Sequence, residues 1–102
     1  MKNESTNLLM QKLQKNEADP DTKILVRKVI NVENLQVAYE KWRWDGVVGE
    51  SLIFESNDVS GLSEEELIEL LRKNELMEEI TQYTTKFTED GLLFVNFNFV
   101  VV

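Results

Sequence analysis

The chain reads as a small single α+β domain, a short N-terminal helix followed by β-α-β-α-β-β and ending in a β-hairpin. Three observations carry that expectation. Residues 92–102 hold no charge and set Leu93, Val95, Phe97, Phe99 and Val101 in alternation with Asn96 and Asn98, the period of a strand with one buried face. Residues 63–73 carry the start and stop signals of a helix, and residues 23–31 are rich in β-branched side chains.

In chain order, residues 5–15 form the first short helix, with Ser5 or Thr6 as N-cap and Leu9 and Leu13 one turn apart. The polar stretch that follows contains the only proline, Pro20, so that 1–21 reads as helix plus linker and 22–102 as the domain. Ile24, Val26, Val29 and Ile30 then make residues 23–31 a strand. Leu35, Ala38, Tyr39 and Trp42 recur at helical spacing, which predicts a helix from about Asn31–Asn34 to Arg43, stopped by Asp45-Gly46. The alternative is one long helix over 20–43, begun by Asp19-Pro20, which gives α-α-β-α-β-β. Strand then helix is preferred, because Val26, Ile30 and Val37 would leave the long helix apolar on its second side.

Val47 to Phe54 is a strand with Val48, Leu52 and Phe54 on one face. A loop leads to Ser63, whose hydroxyl caps a helix with Glu66 at its third position, a capping box, while Leu62 is placed to staple onto Leu67. Glu64 and Glu65 meet the positive end of the helix dipole, and Arg72 and Lys73 the negative end. The helix runs Glu64 to Lys73 with Leu67, Leu70 and Leu71 inward. From Ile80 to Val102 the chain forms a hairpin with the three-residue loop Glu89-Asp90-Gly91, Gly91 being left-handed. That loop sets Phe87 against Leu93, Thr85 against Val95 and Tyr83 against Phe97, leaving Gln82, Thr84, Lys86, Asn96 and Asn98 on a solvated face. A charge-free strand is hazardous at a sheet edge, so the last strand is expected inside the sheet or at a subunit contact.

Composition bounds the function. With 102 residues there is room for one core and no separate catalytic domain. The chain has no histidine and no cysteine, which removes the usual general base, nucleophile and zinc ligands. Gly46-Val47-Val48-Gly49 matches no phosphate-binding motif, and Asp58, Ser60, Gly61 and Glu64 only echo a calcium loop: its twelfth position is Leu67, where a bidentate Glu is required. No catalytic residue, cofactor or metal is therefore expected, and an enzyme would need a deep pocket holding Glu50 or Glu55 beside a lysine or tyrosine. No apolar run spans a bilayer and the first residues lack the apolar core of a signal peptide, so cytoplasmic residence is the expectation.

Net charge is −8, unevenly spread: +1 up to Asp45 and −9 after it. An acid pole repels nucleic acid and attracts basic surfaces. The function expected is thus a non-catalytic binding protein, of inhibitor, immunity or accessory type, engaging a basic protein partner through its second half. Candidate contact residues are Glu64, Glu65 and Glu69 on the capped helix, Arg43 and Trp44 beside the core-facing Trp42, and Asn96 and Asn98 on the hairpin's outer face. The alternative is a homo-oligomeric assembly protein, most simply a homodimer, joined through the uncharged C-terminal strand.

Overall fold

The computed structural model describes Leu9 and residues 11–13, 21–77 and 82–101. Strands β1 (Thr22–Val32), β2 (Leu35–Trp44), β3 (Val47–Glu55), β4 (Tyr83–Phe87) and β5 (Leu92–Val101) form one antiparallel sheet in the order β1-β2-β3-β5-β4. Helix α1 (Glu64–Lys73) follows β3 after a 3-10 turn at Ser56–Asp58. The expected β-α-β-α-β-β order is overturned. So is the long helix over 20–43, because residues 35–44 are the strand β2.

The reason lies in two turns and one buried strand. Asp45 and Gly46 both have positive φ and join β2 to β3 as a two-residue hairpin turn, the conformation that an Asp-Gly pair favours between twisted strands. Glu33, at φ 56, opens an equally short turn with Asn34 between β1 and β2. Strand β2 is covered on both sides: Val37 joins the cluster under α1, and Ala38 joins a second cluster on the far face with Leu9, Leu13, Ile53 and Leu92. A strand buried on both faces loses the clean period of two, and its Leu35, Tyr39 and Trp42 mimic helical spacing.

The larger core lies between the sheet and α1, where Leu52, Phe54, Leu93, Val95 and Phe97 meet Leu67, Ile68 and Leu71. Leu70, expected inward, is only partly buried, and Ile68 takes the fully buried place. The helix bounds and the capping box are as the sequence predicts: Glu66 N–H donates to Ser63 Oγ at 3.1 Å, and Ser63 N–H donates to Glu66 Oε1 at 3.0 Å. The hairpin register also holds, with Tyr83, Thr85 and Phe87 opposite Phe97, Val95 and Leu93, and Gly91 at φ 86 closing the loop. As expected, β5 lies inside the sheet over its first half.

Leu9 and residues 11–13 are helical and pack on the far face. The rest of the predicted N-terminal helix, the linker with Pro20, the hairpin start at Ile80 and Val102 lie outside the described residues.

Candidate binding surfaces

On the face away from α1, the register of four neighbouring strands lines up Glu40, Ser51, Asn96 and Thr84, with Trp42 opposite Gly49 and diagonal to Ser51. Trp42 Nε1–H donates to Ser51 Oγ at 2.7 Å, the Ser51 hydroxyl donates to Asn96 Oδ1 at 2.6 Å, and Asn96 Nδ2 donates to Thr84 Oγ1 at 3.4 Å. Gly49 makes the row possible, since a β-carbon there would stand 2.5 Å from Trp42 Cζ2. The indole therefore lies flat across the glycine. Beside Ser51, the Glu40 carboxylate is 4% exposed and accepts from both Nε and Nη2 of Arg27, its cross-strand partner on β1. A buried charge is tolerated only with such pairing.

Above this floor opens a groove of about 420 Å³, walled by Ile24, Trp42, Trp44 and Phe94, with Lys86 at its rim. Trp44 is exposed, and the Trp42 ring meets Phe99 at 6.0 Å between centroids, within the range of a favourable aromatic contact.

A second groove, of about 460 Å³, runs between the start of α1 and β4. Leu67 and Leu93 floor it, and Leu62 and Phe87 flank it with Glu64. Phe87 keeps its predicted register yet is 69% exposed, because β4 is the sheet edge and α1 does not reach over it. Leu62, predicted to staple onto Leu67, is likewise exposed. Next to this groove, Glu65, Glu66 and Glu69 border a shallow depression with Leu62, Leu70 and Lys73. The Glu66 carboxyl is held below the usual carboxylate range by the Ser63 backbone N–H and hydroxyl.

Two carboxylates stand beside the groups an acid-base site would use. Tyr39 OH donates to Glu50 Oε1 at 2.5 Å, and Asn98 Nδ2 donates to Glu50 Oε2 at 2.6 Å. Burial, then the Glu50 hydrogen bond and charge, push Tyr39 up to about 12. Lys12 Nζ donates to Glu55 Oε2 at 2.8 Å. Neither Glu50 nor Glu55 lines either groove. Among the described residues no group of three His, Cys, Asp or Glu is placed to hold a metal ion, and no helix is long and apolar enough to cross a membrane.

The residues singled out from the sequence fall in separate places. Trp44 and Asn96 share the far-face groove, and Glu64 lines the second groove with Glu65 and Glu69 beside it. Arg43 is exposed and, next to Trp44 on β2, points to the opposite face from it. Asn98 departs from Asn96: at φ 54 it opens a bulge in which Asn98 and Phe99 together oppose Gly49, and its side chain turns to Glu50. The half-buried Asn96 also corrects the expected fully solvated outer face. Sequence reasoning missed Glu40, Ser51, Leu62 and Phe87 as surface-defining groups. A turn at 33–34 would have placed Arg27 opposite Glu40 by counting alone. Comparison with known protein families, curated proteins and solved structures finds no match to this chain.

Proposed function

We propose that this protein is a non-catalytic binding domain that engages a basic protein partner on the side carrying α1. The observation that supports it most is the exposed pair Leu62 and Phe87, flanking an apolar-floored groove with Glu64 in its wall and Glu65 and Glu69 beside it. Large apolar side chains in a pocket supply affinity, and exposed acids speed encounter with a cationic surface. The −9 balance after Asp45 agrees in sign with such a partner and opposes nucleic acid. A cysteine-free chain suits a reducing compartment, and we place it in the cytoplasm.

Paired capture from the source organism tests this reading, with wild type, Phe87→Ala and Glu65→Lys/Glu69→Lys as baits. A basic protein should bind wild type, dissociate as salt rises, be lost on Phe87→Ala, and associate more slowly with the charge-reversed bait. A partner held equally by all three baits and indifferent to salt would exclude this surface.

A further inference from the structure

We propose that the groove between the start of α1 and β4 is a slot for an arginine side chain of the basic partner, an inference that rests on the function proposed above and names the group this site admits. Local capping chemistry prepares the slot. Ser63 and Glu66 satisfy each other's backbone groups, which leaves Glu64, at the first helical position, unengaged. Glu64 is exposed and has no hydrogen-bond or ion-pair partner among the described residues. It is also the only charged side chain among the described residues that line the groove. Leu62, Leu67, Phe87 and Leu93 supply apolar surface, and three serines, Asn57 and Thr85 add neutral oxygens.

These residues select among occupants. An anion is repelled by Glu64 and meets no cation among the described lining. A wholly apolar side chain would fill the slot yet strip water from Glu64 without replacing it. A lysine supplies the charge, but its ammonium is compact and strongly hydrated. Arginine suits the whole surface: its methylene stem packs on the leucines, and its planar guanidinium lies on an aromatic face while forking onto a carboxylate. Phe87, 69% exposed on the edge strand, provides that face. Past Leu62, Glu65, Glu66 and Glu69 outnumber the single Lys73 around the adjoining depression, so a segment that carries the arginine gains from further basic residues on that side.

Amide spectra of the isotope-labelled full chain, titrated at constant ionic strength with acetyl-Ala-Arg-Ala-amide and with its lysine and citrulline counterparts, read the slot directly. Citrulline keeps the shape of arginine without its charge. The amides of Ser63, Glu64, Leu67, Thr85 and Phe87 should shift saturably with the arginine peptide. Its affinity should exceed that of the citrulline peptide about fivefold, the upper end for a solvated ion pair, with lysine between them. Glu64→Gln leaves the Ser63–Glu66 cap in place; it should bring arginine down to the citrulline value and leave citrulline unchanged, whereas Phe87→Ala should weaken both. A citrulline peptide that binds as well as the arginine one overturns the proposal within wild type alone. So do an arginine affinity indifferent to Glu64→Gln, shifts confined to other parts of the chain, and the absence of any saturable shift. None of these results removes the basic-partner reading, which falls instead when capture is indifferent to salt and to the Phe87 and Glu65/Glu69 baits.

Discussion

The Arg27–Glu40 pair offers the sharpest test of the strand assignment for residues 35–44. In a helix Glu40 would have no cross-strand neighbour; in the sheet it faces Arg27 across β1 and β2. The side chains keep only 14% and 5% of their exposure, so removing either partner strands a charge with little water to receive it. Breaking a buried pair costs about 3–5 kcal/mol. Arg27 lies on an edge strand, and its freed guanidinium can turn towards solvent. Glu40→Ala should therefore cost about 2–3 kcal/mol, at or just below the low end of that range. Arg27→Ala should cost more, about 3–4 kcal/mol, because Glu40 is the more buried of the two groups.

Replacing both partners by apolar side chains, Arg27→Met/Glu40→Leu, removes the stranded charge, and the double variant should lie within about 1 kcal/mol of wild type. Urea unfolding followed by tryptophan fluorescence reads all four proteins. At a slope of about 1.5 kcal/mol per M, Arg27→Ala should lower the midpoint by about 2 M. Single substitutions that each cost under about 1 kcal/mol, or a double variant no more stable than the worse single one, would show that the pair is neither buried nor coupled, and would remove the register that places it.

Three further outcomes follow from local geometry. Ser63→Ala should destabilise by about 1 kcal/mol through loss of the α1 cap, with binding unaffected; an unchanged urea midpoint would contradict the observed helix start. Gly49→Ala forces a β-carbon against the Trp42 ring and should cost about 1–3 kcal/mol with a red-shifted tryptophan emission; wild-type emission and stability would mean that the indole does not lie across the glycine. Tyr39 ionises at about 12 in the folded chain, above its ordinary value of 10. The fold then holds its proton more tightly than the unfolded chain, so stability is intact below pH 10 and declines towards about 12. Tyr39→Phe should flatten that decline, and phenolate absorbance should show one of the two tyrosines titrating late.

The elements legible in the sequence are those specified by neighbours along the chain. Ser63 and Glu66 satisfy each other's backbone groups within one turn, so α1 starts where local chemistry says it must. The β4–β5 hairpin needs only a loop length and the rule that large apolar groups share a face. Strand β2 needs information from further away. Asp-Gly ends helices and also turns hairpins, and nothing within residues 35–46 separates the two uses. Cross-strand counting does. A two-residue turn at 45–46 puts Tyr39 opposite Leu52 and Val37 opposite Phe54, and one at 33–34 puts Ile30 opposite Val37 and Arg27 opposite Glu40. Each pairing joins chemically compatible groups on a shared face.

The surfaces were less legible because they depend on which strands become neighbours and on where alternation fails. Trp44 and Asn96 are more than fifty positions apart in the chain and share a groove only because β5 returns between β3 and β4. An unbroken alternation along β5 would put Asn98 beside Asn96 and Phe99 under α1. The left-handed Asn98 inserts one residue opposite Gly49 and exchanges the two faces beyond it. Asn98 thereby reaches Glu50, and Phe99 reaches Trp42. Asn is among the few residues that adopt this conformation at low cost, so the bulge has a local cause. Its position is set by the partner strand, where Gly49 is the residue without a side chain to obstruct Trp42. One glycine on β3 and one asparagine on β5 thus fix together which aromatic groups meet on the far face at the end of β5.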